Sequence, residues 1–277
     1  MRVTLCGVRG SAPAPGAEFD RYGGHTSCVA VAAADGPPSL ILDAGSGLRQ
    51  VAPLLDGAPF AGTILLSHLH WDHWQGLPFF KPGFIPGARV TVLAPEQAGP
   101  PEKALTGMMT PPYFPVEFAG LGAGWSFDWA RAGLCDVEGF RVTAMEIPHK
   151  ASRTFGYRIE DGTSSMAYIT DHAPSSLGAG AHGDGPLHEA VLTLAEGVDL
   201  LITDAQHVRS EFPDAAFLGH ATAEYAVELA QAAGAQRLVL FHHDPERTDD
   251  ELDSICARLA SSSVPVEAAR QGRVFQL

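Results

Sequence analysis

Residues 67–73 read Ser-His-Leu-His-Trp-Asp-His, which places three imidazoles and a carboxylate within six positions. Imidazole and carboxylate are good ligands for zinc and similar divalent ions. His68 and His70 lie two apart, so an extended backbone points both the same way. Asp72 and His73 need a turn to face a neighbouring point, so one segment can serve two adjacent metals. The segment directly follows Thr63-Ile-Leu-Leu-Ser67, an apolar stretch that reads as a buried strand. Surface or helix-capping histidines would not be packed so densely behind such a strand.

The pattern H-x-H-x-D-H resembles the signature of the metallo-β-lactamase superfamily, and the resemblance runs through the chain. His149 in Ile147-Pro148-His149, Asp171 at the end of Ala167-Tyr168-Ile169-Thr170-Asp171, and His242 in Leu240-Phe241-His242-His243-Asp244 follow in the family's order. His243 is the alternative to His242. The resemblance implies an α/β fold, a four-layer αββα sandwich with two mixed sheets. It also implies a ligand set: His68, His70 and His149 for one divalent ion, Asp72, His73 and His242 for a second, with Asp171 and a water or hydroxide between them. Zinc is the first choice, and manganese or iron would suit the same donors. Two such ions lower the pKa of a water, orient it and stabilise charge on a substrate oxygen.

Asp204 ends Ile202-Thr203-Asp204, and His220 stands in Leu218-Gly219-His220-Ala221-Thr222 ahead of a predicted helix. Their order resembles the phosphodiesterase branch of the superfamily, which includes the tRNA 3′-end processing enzymes (RNase Z) and small cyclic-phosphate phosphodiesterases. The resemblance implies that His220 protonates a departing alkoxide and that Asp204 orients it. An alkoxide leaves poorly, so a general acid suits a phosphodiester. The acidic position is Asp here, where the tRNA enzymes usually carry Glu. Those enzymes also carry a projecting basic arm between their third and fourth metal motifs, whereas the short span from His149 to Asp171 is filled by two predicted strands. A small phosphodiester, such as a cyclic nucleotide, is therefore the expected substrate, hydrolysed by a metal-activated hydroxide. Two other readings use the same residues: an acyl hydrolase for a lactone, thioester or β-lactam, and a metal-stabilised binding or carrier protein.

The N-terminal part contributes Gly7-Val8-Arg9-Gly10-Ser11, Tyr22-Gly23-Gly24-His25-Thr26-Ser27-Cys28 and Leu42-Asp43-Ala44-Gly45-Ser46-Gly47. Such loops at one sheet edge could line a pocket, with backbone N–H groups near a phosphate. Asp43 is a candidate partner for a ligand histidine, and His25 reads as structural.

The elements that must position these residues alternate between strands and helices. Strands are expected at 2–8, 26–34, 39–43, 63–67, 89–94, 140–147, 154–160, 165–170, 199–203 and 237–241. A Gly-rich loop and short helix covers 44–55. Helices are expected at 222–233, with Thr222 as N-cap, and near 248–260. The Asp35-Gly36-Pro37-Pro38 turn predicts an antiparallel pairing of its flanking strands. Residues 95–118, rich in Pro, Met and aromatics, read equally as a helix and lid over a pocket or as a packing insertion. No linker interrupts residues 1–277, so a single domain with two similar halves is the simplest account.

Composition agrees with a globular enzyme. Of 277 residues 45% are hydrophobic and 18% charged, which argues against disorder. Apolar runs are broken before a membrane-spanning length, and no signal-peptide pattern opens the chain, so a cytoplasmic protein with no membrane partner is expected. The net charge of −14 weighs against a large nucleic-acid partner. A homodimer is the commonest assembly by base rate. Cys6, Cys28, Cys135 and Cys256 have no C-x-x-C spacing and read mostly as buried apolar residues.

Overall fold

The computed structural model describes residues 1–115, 117–118, 124–212 and 214–277. Two seven-stranded sheets face one another. The first contains β1 (Arg2–Gly7), β2 (Cys28–Ala32), β3 (Leu40–Leu42), β4 (Ala61–Leu65), β5 (Arg89–Pro95) and β6 (Trp125–Ala130), with β14 (Val274–Gln276) beside β1. The second contains β7 (Gly133–Val137), β8 (Phe140–Ile147), β9 (Thr154–Glu160), β10 (Ser165–Ile169), β11 (Leu200–Asp204), β12 (Leu238–Phe241) and β13 (Val266–Ala268). Each sheet is mixed. Antiparallel pairs run from β14 to β3 and from β7 to β10, and parallel pairs from β3 to β6 and from β10 to β13.

The two-residue period of a strand explains the layering. Leu40 and Leu42 face the core between the sheets, while Ile41 faces outward. Likewise Tyr168, Ile202 and Phe241 point between the sheets, and Ala167, Leu201 and Leu240 point to the outer face of the second sheet. That outer face is covered by α2 (Glu189–Ala195) and α3 (Ala223–Ala233), through residues such as Leu194 and Leu229. With both faces covered, β10, β11 and β12 are buried almost along their whole length, as strands in parallel arrays are. The outer face of the first sheet is covered by a 3₁₀ helix, Ser46–Leu55, through Leu48 and Val51. This is the αββα order, and the outer layer on this side is short.

Three expectations change. Strands β6, β7, β13 and β14 add to those expected; β13 and β14 have three residues each, too few for an alternation to register. Residues 95–118 pack rather than cover, as far as they are described; position 116 lies outside the described residues. Helix α1 (Pro101–Thr106) is followed by Met109 and Phe118, and both join Leu105 in the core of the first sheet's outer face. Only Cys6 and Cys28 are buried, because Cys135 lies on the exposed part of β7 and Cys256 is half-buried on α4 (Asp249–Leu259). Thr222 does cap α3, accepting a hydrogen bond from the Tyr225 N–H at 3.0 Å. None of the helices is long and apolar enough to cross a membrane among the described residues.

Strand direction gathers the chemistry at one place. Strands β3 and β4 of the first sheet, and β8, β10, β11 and β12 of the second, end at one rim, and each runs into a candidate site residue or its partner. The rim is tied across the sandwich by Tyr157, whose hydroxyl donates to the Leu66 carbonyl at 2.7 Å from the opposite sheet. Tyr157→Phe leaves that buried carbonyl without its donor, and urea unfolding is expected to show a loss of about 1–3 kcal/mol. A wild-type midpoint would remove this hydroxyl from the ties that hold the rim.

Candidate metal centre

Strand β4 delivers Ser67 and His68, and a 3₁₀ turn at Trp71–His73 folds Asp72 and His73 back beside them. Strand β8 delivers His149, β10 delivers Asp171 and β12 delivers His242. Three of the strand-end residues, Asp43, Asp171 and His242, have φ of 59°, 52° and 59°. Left-handed backbone is uncommon outside glycine and is kept where surrounding contacts over-determine it. Here it turns each side chain from the end of a strand onto the rim.

The donor atoms converge in three overlapping groups, one of them Asp171, His220 and His242. His68, His70, His149 and Asp171 each bring one donor atom within 4.8 Å of the others, and so do Asp72, His73 and His242. Asp171 faces both groups. Its Oδ1 lies 3.6 Å from His68 Nε2 and 3.6 Å from His149 Nε2, while its Oδ2 lies 3.1 Å from His73 Nε2 and 3.2 Å from His242 Nε2. His243 turns away, with its Nε2 2.9 Å from the Ala269 carbonyl. At the last strand end His242, and not His243, joins the cluster.

The ring tautomers follow from the outer contacts. His73 Nδ1–H donates to Asp43 Oδ2 at 2.7 Å and His149 Nδ1–H to the Gly219 carbonyl at 2.9 Å. Their Nε2 atoms therefore face inward. His73 Nε2 then stands 3.1 Å from Asp72 Oδ2 and 3.3 Å from His242 Nε2, and His149 Nε2 stands 3.1 Å from His70 Nδ1. His68 Nε2 and His242 Nδ1 are buried with no hydrogen-bond partner. Donor atoms so arranged repel unless a cation lies among them, so this donor set fits divalent metal ions.

Electrostatics point the same way. Burial holds His68 well below the ordinary imidazole range and takes His149 down to about 4, so both are neutral donors. Burial should likewise neutralise His73, but Asp171, Asp72 and Asp43 outweigh it and hold its pKa well above the usual value. The carboxyl groups of Asp72 and Asp171 stay far below their usual range despite burial, because His73 and His242 favour their charged forms. The pocket demands positive charge.

Asp43 organises the site from behind. It accepts from the Ser67 N–H at 2.7 Å, the Ser67 hydroxyl at 2.9 Å, the His73 ring and the Tyr168 hydroxyl at 2.7 Å. Sequence reasoning misses Ser67, Tyr168 and Gly219 because their roles exist only across the sandwich. The N-terminal turn acts differently from expectation. The Ser11 N–H donates to Asp72 Oδ2 at 2.8 Å, so it orients a carboxylate of the centre. Gly10 is packed so closely on His242 that a Cβ would lie 2.4 Å from the ring. His25 is structural, with Nδ1 3.1 Å from Ser46 Oγ.

Asp204 and His220 also meet. His220 Nδ1 lies 2.8 Å from Asp204 Oδ2 and 3.9 Å from Asp171 Oδ1, so the aspartate arm is long enough. The His172 N–H and the Gln206 N–H fix the same carboxylate from behind. Burial opposes charge on His220, but Asp204 outweighs it and lifts the pKa to about 9. The ring stacks on His242 at 4.9 Å, beside the centre.

Two outcomes are expected from metal analysis of purified variants. His242→Ala should retain about half the metal of the wild type, whereas His243→Ala should retain all of it; the reverse pattern would reassign the last donor. Asp43→Asn removes the negative charge behind His73 and puts a donor in place of one of its two acceptor oxygens, and should weaken metal retention against a competing chelator by about 10–100-fold. Unchanged retention would show that Asp43 serves folding alone.

Residues 39–243 match the family described as the beta-lactamase superfamily domain. Ribonuclease Z of Methanothermobacter thermautotrophicus is 25% identical over 311 residues, spanning 98% of this chain and 92% of the relative. Among solved structures, a diphosphatase from the PhnP family superposes with a TM-score of 0.73 at 21% identity, over 100% of this chain and 97% of the other. Zinc-bound PqqB from Methylobacterium extorquens superposes with a TM-score of 0.71 at 18% identity, over the whole of both chains. The two structural likenesses bear on the fold, and the family match covers the span from β3 to the last histidine pair: the chain belongs to the beta-lactamase superfamily, with the metallo-β-lactamase fold.

Proposed function

We propose that this protein is a metal-dependent phosphodiesterase that hydrolyses a small phosphodiester, such as a cyclic nucleotide. In this reading His68, His70 and His149 hold one divalent ion, Asp72, His73 and His242 hold a second, and Asp171 stands between them. Zinc is the first candidate. Two divalent cations held there would supply Lewis acidity, making a water nucleophilic at neutral pH and stabilising charge on a substrate oxygen. Residues 1–277 are taken as one domain, because the histidines and aspartates of both sheets face one centre.

The observation that carries the reading is the His220–Asp204 pair. Asp204 accepts a hydrogen bond from Nδ1–H, which fixes the ring's orientation and favours its charged form. Nε2–H is then free to protonate a departing oxygen. A hydrolase of activated acyl groups has less need of such a donor, whereas a phosphodiester with an alkoxide leaving group has great need of one. The ribonuclease Z relative accords with phosphodiester chemistry. The charge of −14 and the absence of room for a basic arm between His149 and Asp171 favour a small substrate over an RNA.

The test is a comparison of a 3′,5′-cyclic nucleotide, bis(p-nitrophenyl) phosphate, a nitrophenyl ester and a β-lactam reporter on metal-loaded protein. Diester turnover is expected, with His220→Ala lowering kcat on the cyclic nucleotide by about 10²-fold or more. The loss should be smaller on the nitrophenyl diester, whose leaving group needs less protonation. Ester or lactam turnover without diester turnover would replace this reading by the acyl hydrolase, and binding without turnover by a carrier.

A further inference from the structure

The two sheets have four edge strands, β6, β7, β13 and β14, and three of these are short or packed. Strands β13 and β14 have three residues each. Strand β6 packs against α1, and its Trp129 Nε1 donates to the Gly99 carbonyl at 3.1 Å. Strand β7 differs. Gly133, Leu134, Cys135 and Asp136 are exposed one after another, so both faces of this strand are open. Leu134 is 64% exposed.

The turn after β7 fixes which backbone groups are free. Glu138 and Gly139 have φ of 50° and 85°, the left-handed pair of a two-residue hairpin turn, and they close β7 onto β8. In such a hairpin the flanking residues, Val137 and Phe140, exchange hydrogen bonds, and bonded pairs recur at every second residue. Cys135 with Val142 and Gly133 with Ala144 are therefore bonded pairs. The N–H and C=O groups of Leu134 and Asp136 point the other way, toward the open edge. Among the described residues β7 pairs with β8 alone.

A free edge normally carries a guard, such as Lys, Pro, a bulge or a cover. Strand β7 reads Gly-Leu-Cys-Asp-Val, with neither Lys nor Pro, and its register with β8 runs without a bulge. Its charged residue, Asp136, stands directly opposite Arg141 of β8, which offsets it. The edge is also self-complementary. Its free groups lie on the two residues that flank Cys135, so a second copy running antiparallel meets them in register.

We infer that β7 is a docking edge for a second copy of this chain, paired antiparallel about a two-fold axis at Cys135. In that pairing Leu134 exchanges hydrogen bonds with the partner's Asp136. Cys135 faces the partner's Cys135 in the unbonded position, where Cα atoms lie about 4.5 Å apart. No like charges stand opposite across the seam, because each aspartate faces a leucine. Each copy has a single such edge, so the assembly closes as a dimer. The antiparallel arrangement sends the two metal centres to opposite ends of the joined sheet, and pairing leaves both open. A seam of one short strand per copy is small, and small interfaces are weak.

Light scattering over a concentration series tests the assembly at physiological salt, where repulsion between two chains of net charge −14 is screened beyond about 8 Å. A monomer–dimer equilibrium with a dissociation constant of about 10 µM is expected. Asp136→Pro removes an N–H on the open edge and none that pairs with β8, so it should fold and weaken pairing by about 100-fold. Leu134→Glu sets a carboxylate opposite the partner's Asp136 and should weaken pairing by about 10-fold. Diamide takes two electrons and two protons from a pair of thiols and leaves a disulfide. It should link wild-type dimers, because antiparallel Cys135 residues lie within disulfide reach. Cys135→Ser should associate without being linked. Thermal melts and zinc content should match the wild type in every variant. A chain still monomeric at about 1 mM, a hundred times the expected constant, overturns self-pairing and leaves the edge to an extended peptide. Dimers that the Asp136→Pro and Leu134→Glu variants leave intact, or that diamide does not link through Cys135, place the interface elsewhere and overturn it too.

Discussion

The structure depends on one electrostatic constraint: seven side chains aim donor atoms at a common volume from opposite sheets. Asp171 lies with one oxygen toward each half of that volume, and its neighbours are carboxylates and imidazoles, of which His73 and His149 have their outer nitrogens already engaged. Such an arrangement is repulsive by itself. Protonation of His73 relieves part of it, and divalent cations would relieve all of it. The surrounding fold therefore holds the donors in place against their mutual repulsion.

That rigidity has identifiable sources. Of the strands that carry the donors, β4, β10 and β12 are buried on both faces, so their ends are fixed by the cores they separate. At the rim the backbone turns through left-handed conformations at Asp43, Asp171 and His242, and Ser11, which holds Asp72, has φ of 60°. Arg9 closes the arrangement behind His242. Its buried guanidinium donates to the carbonyls of Gly23, Asp244 and Arg247 and faces Asp249 at 3.6 Å. Local strain of this kind persists only inside an over-determined framework. The Asp43 carboxylate shows the linkage most directly, since it joins β3, the histidine segment and Tyr168 of the other sheet in one hydrogen-bonded unit.

Much of this is legible in the residues themselves. The H-x-H-x-D-H segment announces its chemistry by density alone, and β8 and β9 match the positions expected from their alternation residue for residue. His149, Asp171, His242, Asp204 and His220 need the family resemblance, because each is a single residue at a strand end whose meaning lies in what it meets. The contacts that complete the site are hidden for the same reason. Gly219 acts through a carbonyl and Ser11 through an N–H, and a backbone atom leaves no mark in composition. Tyr168 looks like any inward-facing strand residue until Asp43 is placed beneath it. Residues 95–118 leave two readings open in the sequence, and Met109 and Phe118 join the core.

The most direct measurement is anomalous diffraction from crystals grown with zinc, recorded at the zinc edge. Two anomalous peaks per chain are expected, one among His68, His70 and His149 and one among Asp72, His73 and His242, with Asp171 between them. A single peak, or peaks away from Asp171, would overturn the two-ion assignment.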